Sequence, residues 1–176
     1  MTQFTEENGL NIIEVLVVAG MISALVVITG SIASRFFANR RVDNITRTIS
    51  STLQIAKLKS ARRGVEYQAV VSYDASNESL TIATQIGDSN RRSDKYTTET
   101  SQKLHVSNGI EITPSHKIMN FNPNGTLGGS SGSITIRPSD GTKISRCGRI
   151  VVTPFGRIRV VQGNWEGTTC KPIREP

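Results

Sequence analysis

The sequence predicts an α+β fold in which one long N-terminal helix packs on an antiparallel β-sheet head. Three observations predict it. Residues 15–34 carry no ionisable group, and 14 of these 20 are Ala, Val, Ile, Leu or Met. Between residues 38 and 56 the apolar positions recur at spacings of three and four, the period of a helix with one buried face. Beyond Gly64 the period falls to two, and turn residues interrupt it at short intervals. A chain of 176 residues with 5% aromatics has room for one globular domain and an attached segment, which excludes a multidomain enzyme.

Twenty uncharged residues rising ~1.5 Å each span ~30 Å, the thickness of a bilayer's hydrocarbon core, so residues 15–34 are expected to cross a membrane as a helix. A cleaved secretory signal would need basic residues ahead of the apolar run, but residues 1–9 hold none and carry Glu6 and Glu7. A plain single-span anchor leaves Glu14 unexplained, because an ionised carboxylate inside an apolar run costs up to ~3 kcal/mol. That carboxylate needs a cationic partner.

After the span, Ala38, Val42, Ile45, Ile49, Leu53 and Ala56 form the apolar stripe of an amphipathic helix, with Arg40, Arg41, Arg47, Lys57 and Lys59 between them. Joined to the span, residues 10–62 would make one helix of ~80 Å. Arg62-Arg63-Gly64 supplies a basic last turn and a glycine cap. Strands are expected at 65–73, 79–84, 110–113, 117–121, 133–137, 149–153 and 157–161, separated by turns such as Asn122-Pro123-Asn124-Gly125 and Pro154-Phe155-Gly156. Residues 85–103 hold almost no apolar side chain and are expected to form a long mobile loop.

Residues 9–18, Gly9-Leu10-Asn11-Ile12-Ile13-Glu14-Val15-Leu16-Val17-Val18, resemble the class III signal of type IV pilins and type II secretion pseudopilins. The resemblance implies that a prepilin peptidase cuts after Gly9, that Leu10 becomes a methylated N-terminus, and that Glu14 pairs with that ammonium on a neighbouring subunit. It also implies insertion in the bacterial inner membrane with the head in the periplasm, then assembly with other major and minor pilins through the N-terminal helix. Four segments follow: a leader at 1–9, a membrane or filament-core helix at 10–34, an amphipathic helix at 35–63 and a β-rich head at 64–176. The head pattern, Phe121-Asn122-Pro123-Asn124-Gly125, then residues 133–137, 149–152 and 156–159, is similar to that of the GspH/FimT family of minor pilins and pseudopilins. The resemblance therefore implies a type IV pilin-like fold over nearly the whole chain.

Basic residues follow the span and none precedes it, which by itself would keep the body in the cytoplasm. The signal motif and the paired cysteines point outward. Cys147 and Cys170 are the only cysteines, with nothing at metal-ligand spacing beside them. In an exported domain they would form a disulfide; in a cytoplasmic protein they would be free thiols.

No catalytic, metal or cofactor site is expected. His105 and His116 stand alone, and the sequence holds no nucleophile elbow, phosphate loop or zinc-binding helix. The charge distribution says more: residues 35–63 hold eight basic residues against Asp43, and residues 143–176 hold seven against Glu166 and Glu175. Within the second group, Gly156-Arg157-Ile158-Arg159 would put two guanidiniums ~7 Å apart on one strand face, with Ile158 and Val160 towards the core. That spacing suits successive phosphates. Lys143, Arg146, Arg149, Lys171 and Arg174 would enlarge the patch if a disulfide folded them onto the same side.

Minor pilins of the FimT type that take part in natural transformation carry a C-terminal Gly-Arg-x-Arg motif that binds DNA. The resemblance thus implies a minor pilin that binds extracellular double-stranded DNA without sequence preference and supports its uptake. The bland reading of the same residues is a solvated strand of a basic protein. The family leaves two further alternatives: a type II secretion pseudopilin acting in protein export, and a structural pilus-initiation subunit. Trp165 is the single candidate for stacking on a base, and a loop or core anchor is its ordinary role.

Overall fold

The structure, a computed structural model, describes residues 12–106, 109–139, 146–167 and 169–172, and of residues 25–35 the backbone alone. Two compact units divide the chain, Met1–Phe37 and Ala38–Pro176. Helix α1, Ile12–Arg63, contributes residues to both. The cleavage residues Gly9 and Leu10 lie outside the described residues.

In the first unit the described side chains are exposed, and they include Ile12, Ile13, Val15, Leu16, Val17, Val18, Met21 and Ile22. Glu14 stands in the first turn, where a carboxylate complements the positive end of the helix dipole. Ser23 returns its hydroxyl hydrogen to the Ala19 carbonyl at 2.8 Å, which satisfies it within the helix. Among the described residues no helix is long and apolar enough to cross a membrane; the expected span includes residues 25–34, whose side chains lie outside that set.

In the second unit α1 buries Val42, Ile45, Ile49, Leu53 and Ala56, the stripe that the spacing predicts, and Ala38 is half-buried. The helix stops where Gly64 adopts a φ of 66° and donates its N–H to the Ser60 carbonyl at 3.0 Å. Nine strands follow in chain order: β1 (Tyr67–Asp74), β2 (Ser79–Gly87), β3 (Tyr96–His105), β4 (Ile110–Pro114), β5 (Ile118–Phe121), β6 (Gly132–Pro138), β7 (Arg146–Val152), β8 (Ile158–Glu166) and β9 (Thr169–Pro172). They build two antiparallel sheets where the sequence suggested one, in the orders β3-β2-β1-β5 and β4-β6-β7-β8-β9. Alternation decides which faces meet: Ala69, Val71, Leu80, Ile82, Met119 and Phe121 of the first sheet and Ile110, Ile112, Ile134, Ile136, Ile150 and Val152 of the second join the helix stripe in one core.

The helix lies close on β7 because that strand has a glycine at the crossing. A Cβ at Gly148 would sit 2.1 Å from the Thr46 Oγ1. The buried Thr46 hydroxyl meanwhile donates to the Val42 carbonyl at 2.7 Å, so it is not stranded at the contact. The sheets are tied to each other by the Tyr73 hydroxyl, which donates to the Ile110 carbonyl at 2.9 Å.

The expected loop at 85–103 is a strand over most of its length. Strand β2 continues to Gly87, and β3 pairs with it from Tyr96 to His105 through a bulge at Thr84/Gln85. Strand β3 is exposed on both faces, so it has no apolar period to read. Its β-branched Thr97, Thr98 and Thr100 and its charged edge suit a solvated outer strand. The short connection before it is held by Glu66, a buried carboxylate that accepts the Ser93 N–H at 2.8 Å. Burial, helped by a hydrogen bond to Glu66, pushes the Tyr96 phenol up to about 12.

Strand β3 also meets the helix: Glu99 receives Lys59 at 2.8 Å and Arg63 at 3.0 Å. The hydrogen bond from Lys59 is the main reason that the Glu99 carboxyl lies below its ordinary range. A carboxylate lowered in the folded state stabilises the fold above its unfolded pKa and loses that contribution as pH falls through the folded value. Glu99→Gln should therefore lower the melting temperature at pH 7, and the gap to the parent should close as the pH is taken below about 4. Melting curves of the two proteins from pH 7 to pH 3 measure this; a constant gap would show that the ion pair contributes nothing to the fold.

Candidate functional site

The basic motif sits at the turn of the β7–β8 hairpin. Thr153 and Arg157 close it, with the Thr153 N–H donating to the Arg157 carbonyl at 3.0 Å and the Gly156 N–H donating to the Thr153 carbonyl at 2.8 Å. The Arg157 N–H donates in turn to the Thr153 hydroxyl at 3.2 Å. Two outside contacts fix the turn: the Leu127 N–H donates to the Pro154 carbonyl at 2.9 Å, and Lys57 of α1 donates to the Gly156 carbonyl at 2.9 Å. Gly156 has to be glycine. Its φ is 71°, and a Cβ there would lie 1.8 Å from the Gly125 carbonyl oxygen.

Register places the arginines. Val151 pairs with Arg159 and Arg149 with Val161, on the face of the sheet opposite the core residues Ile150 and Val152. The Thr153–Arg157 pair continues this ladder, so Arg157 and Arg159 share that outer face ~7 Å apart. Arg149 is the diagonal neighbour of Arg159, roughly 7–8 Å away. All three are exposed, and none has a carboxylate within salt-bridge distance among the described residues. Ile158 packs against the core as expected, but Val160 stays 39% exposed although it faces the same way as its ladder partner, the buried Ile150.

The other members of the expected patch are engaged elsewhere or lie outside the described residues. Arg146 reaches Asp43 of α1 at 3.6 Å and pairs in the ladder with Asn164. Lys171 is bound to Glu166. It pairs in the ladder with Asn164, five residues along β8 from Arg159 and hence roughly 17 Å away. Lys143 and Arg174 lie outside the described residues. Trp165 is not a free platform either, since Arg137 stacks on its ring at 5.5 Å while donating to Glu111 at 2.8 Å. The exposed aromatic at the site is Phe155, in the turn itself. The sequence signal was its place between Pro154 and Gly156, where folding asks for no large apolar side chain.

Cys147 and Cys170 form a disulfide, with Cα atoms 5.8 Å apart and 23 residues of separation. It holds β9, which sequence periodicity missed because the strand is four residues long, against β8. Gly163 makes room for it: a Cβ there would lie 1.7 Å from the Lys171 carbonyl oxygen. The histidines have ordinary surface contacts, His105 with Glu78 at 3.8 Å and His116 with the Ser115 hydroxyl at 3.1 Å. Among the described residues no His, Cys, Asp and Glu cluster could hold a metal ion.

A helix packed on an antiparallel head, closed at its C-terminal edge by a disulfide, is the type IV pilin-like α+β fold that the resemblance implies. The chain is similar in structure to the type IV minor pilin FimU of Pseudomonas aeruginosa strain PAO1, with 13% identity and a TM-score of 0.53 over 71% of this chain and 91% of that one. The minor pseudopilin EpsH of the Vibrio cholerae type 2 secretion system is also similar, with 11% identity and a TM-score of 0.49 over 69% and 96% of the two chains. No protein-family model and no curated protein matches the sequence. At these identities the likeness is one of fold.

The disulfide closes a loop whose length corresponds to about 3 kcal/mol. Replacing both cysteines by alanine should lower the unfolding free energy by about that amount, read from urea denaturation. An unchanged urea midpoint would mean that β9 is held by its ladder alone.

Proposed function

We propose that this chain is a minor pilin-type filament subunit whose head binds DNA through Arg149, Arg157 and Arg159. The filament part of the reading rests on the fold, on the exposed apolar start of α1 with Glu14 as its one charge, and on the cleavage motif ahead of it. Cleavage after Gly9 would create the ammonium that Glu14 needs, and two packed subunits would bury that pair together. Inner-membrane anchoring before assembly, with the head in the periplasm, belongs to the same reading.

One observation carries the DNA part: three arginines gathered on one face of a fixed hairpin, none neutralised by an acid among the described residues. Guanidiniums in that state release counterions from a phosphate backbone, and they give affinity without reading sequence. The remaining cations near the hairpin are spent inside the fold, Lys57 on the Gly156 carbonyl and Arg146 on Asp43. The patch is therefore small, and the filament would supply many copies or the pull, with this subunit supplying grip.

Two measurements test the two parts. Coexpression with a prepilin peptidase should shorten the chain by the nine residues before Leu10, and Gly9→Val should prevent it; a chain of unchanged mass would remove the filament reading. Fluorescence anisotropy of the purified full-length chain with a labelled duplex should show binding that weakens with salt. Arg157→Gln with Arg159→Gln should weaken it at every salt concentration and flatten the slope of log K against log salt by about 2. Equal binding by that variant would overturn the site and favour a pseudopilin of protein export or a structural initiation subunit.

A further inference from the structure

The hairpin turn carries more than charge. Phe155 is 85% exposed, the most exposed large apolar side chain among the described residues. Pro154 and Gly156 set the turn, and Phe155 is neither part of the core nor packed against it. Its turn is nonetheless held by the Thr153–Arg157 closure, by Leu127 and by Lys57. The ring is thus presented to solvent at a set distance from Arg157 and Arg159, and little freedom remains to be lost on binding.

Beside the ring lies an open groove of about 420 Å³, a size at which small planar groups are held. Gln54 and Leu58 of α1 form one wall, and Phe155, Arg157 and Ile158 form the other. Leu58 is 62% exposed, so that wall offers apolar surface to water. No acidic residue lines it. An apolar slot with cations at its rim and no anion suits a ligand that is flat, apolar on its faces and negatively charged along its edge.

We propose that the β7–β8 turn is a base-stacking platform for single-stranded DNA: an unpaired base lies on Phe155 above Leu58 and Ile158, and the adjoining phosphates meet Arg157, Arg159 and Arg149. This rests on the DNA reading above and narrows its substrate. A base in a duplex has both faces covered by its neighbours, whereas a strand without a partner offers its faces freely. Arginines along a strand give affinity to either form of DNA, and an exposed aromatic adds affinity for one of them. Frayed ends and single strands are accordingly the preferred form.

The test compares a labelled oligothymidylate with a blunt duplex of the same length, about 20 nucleotides, by anisotropy of the full-length chain in a mild detergent. Phe155→Ala should weaken oligothymidylate binding about 5- to 150-fold, change duplex binding less than about twofold, and leave the salt slope in place. Phe155→Trp should restore it, with its indole emission quenched on binding. Because the side chain is exposed, both variants should melt with the parent. Equal losses on both DNA forms, or none, would overturn the stacking platform. If Arg157→Gln with Arg159→Gln still weakens binding in that case, the DNA reading survives alone. Absence of binding to either form would remove both. A loss of self-association in Phe155→Ala, with oligothymidylate binding unchanged, would make the groove a protein interface and overturn the proposal.

Discussion

The head depends on the contact between the α1 stripe and the two sheets, because those five side chains are shared by both. Val42, Ile45, Ile49, Leu53 and Ala56 are each buried, and the inward rows of both sheets meet them in one core. Fully burying a branched aliphatic side chain contributes about 1.5–3 kcal/mol, so the larger members of the stripe outweigh any single polar contact in the head. The glycine at position 148 and the back-bonded hydroxyl of Thr46 let the helix come near enough for this packing. Without the helix each sheet would expose an apolar face.

Around that core the polar contacts act mainly as locators. Lys59 and Arg63 hold β3 to the last turns of α1, Asp43 holds the start of β7, and Lys57 holds the hairpin turn. These are partly exposed pairs, each worth little in stability. Their effect is positional. The turn at 153–157 is fixed by one lysine of α1 and one N–H of the segment before β6, so the arginines following it start from a set point. A basic composition that looks uniform in sequence thus divides into cations that hold the fold and cations left to solvent.

The helix and the inward-facing strands were legible in the sequence because each has a period: three and four for Val42 to Ala56, two for the strands that line the core. Strand β3 was not, since both its faces meet water and its pairing is a matter of backbone alone. Strand β9 was too short to show a pattern and is defined by its disulfide. For the site, the motif at 156–159 was readable, but the division of the basic residues was not. Whether Arg146 faces solvent or Asp43 depends on where α1 crosses β7, a long-range fact that no local pattern holds. Phe155 was hidden for the opposite reason: sequence reading looks for aromatics that folding needs, and this one is exposed.

That exposure bears on how the pilin-like scaffold can acquire a binding function. The β9 edge of the second sheet and the turn that joins its inner strands β7 and β8 are managed differently. At the far edge, the disulfide and the Glu166–Lys171 pair tie β9 down and neutralise a cation. At the turn end of β7 and β8, no carboxylate among the described residues neutralises Arg149, Arg157 or Arg159, although Asp and Glu occur elsewhere in the head. Folding alone would favour an acid near such a cluster, because Arg159 has a like charge roughly 7–8 Å away on each side. The repulsion is tolerated because the hairpin is held from below by Lys57 and Leu127, which are independent of the outer face. A turn anchored on its inner side is free to carry an outer side that is unfavourable until something anionic covers it.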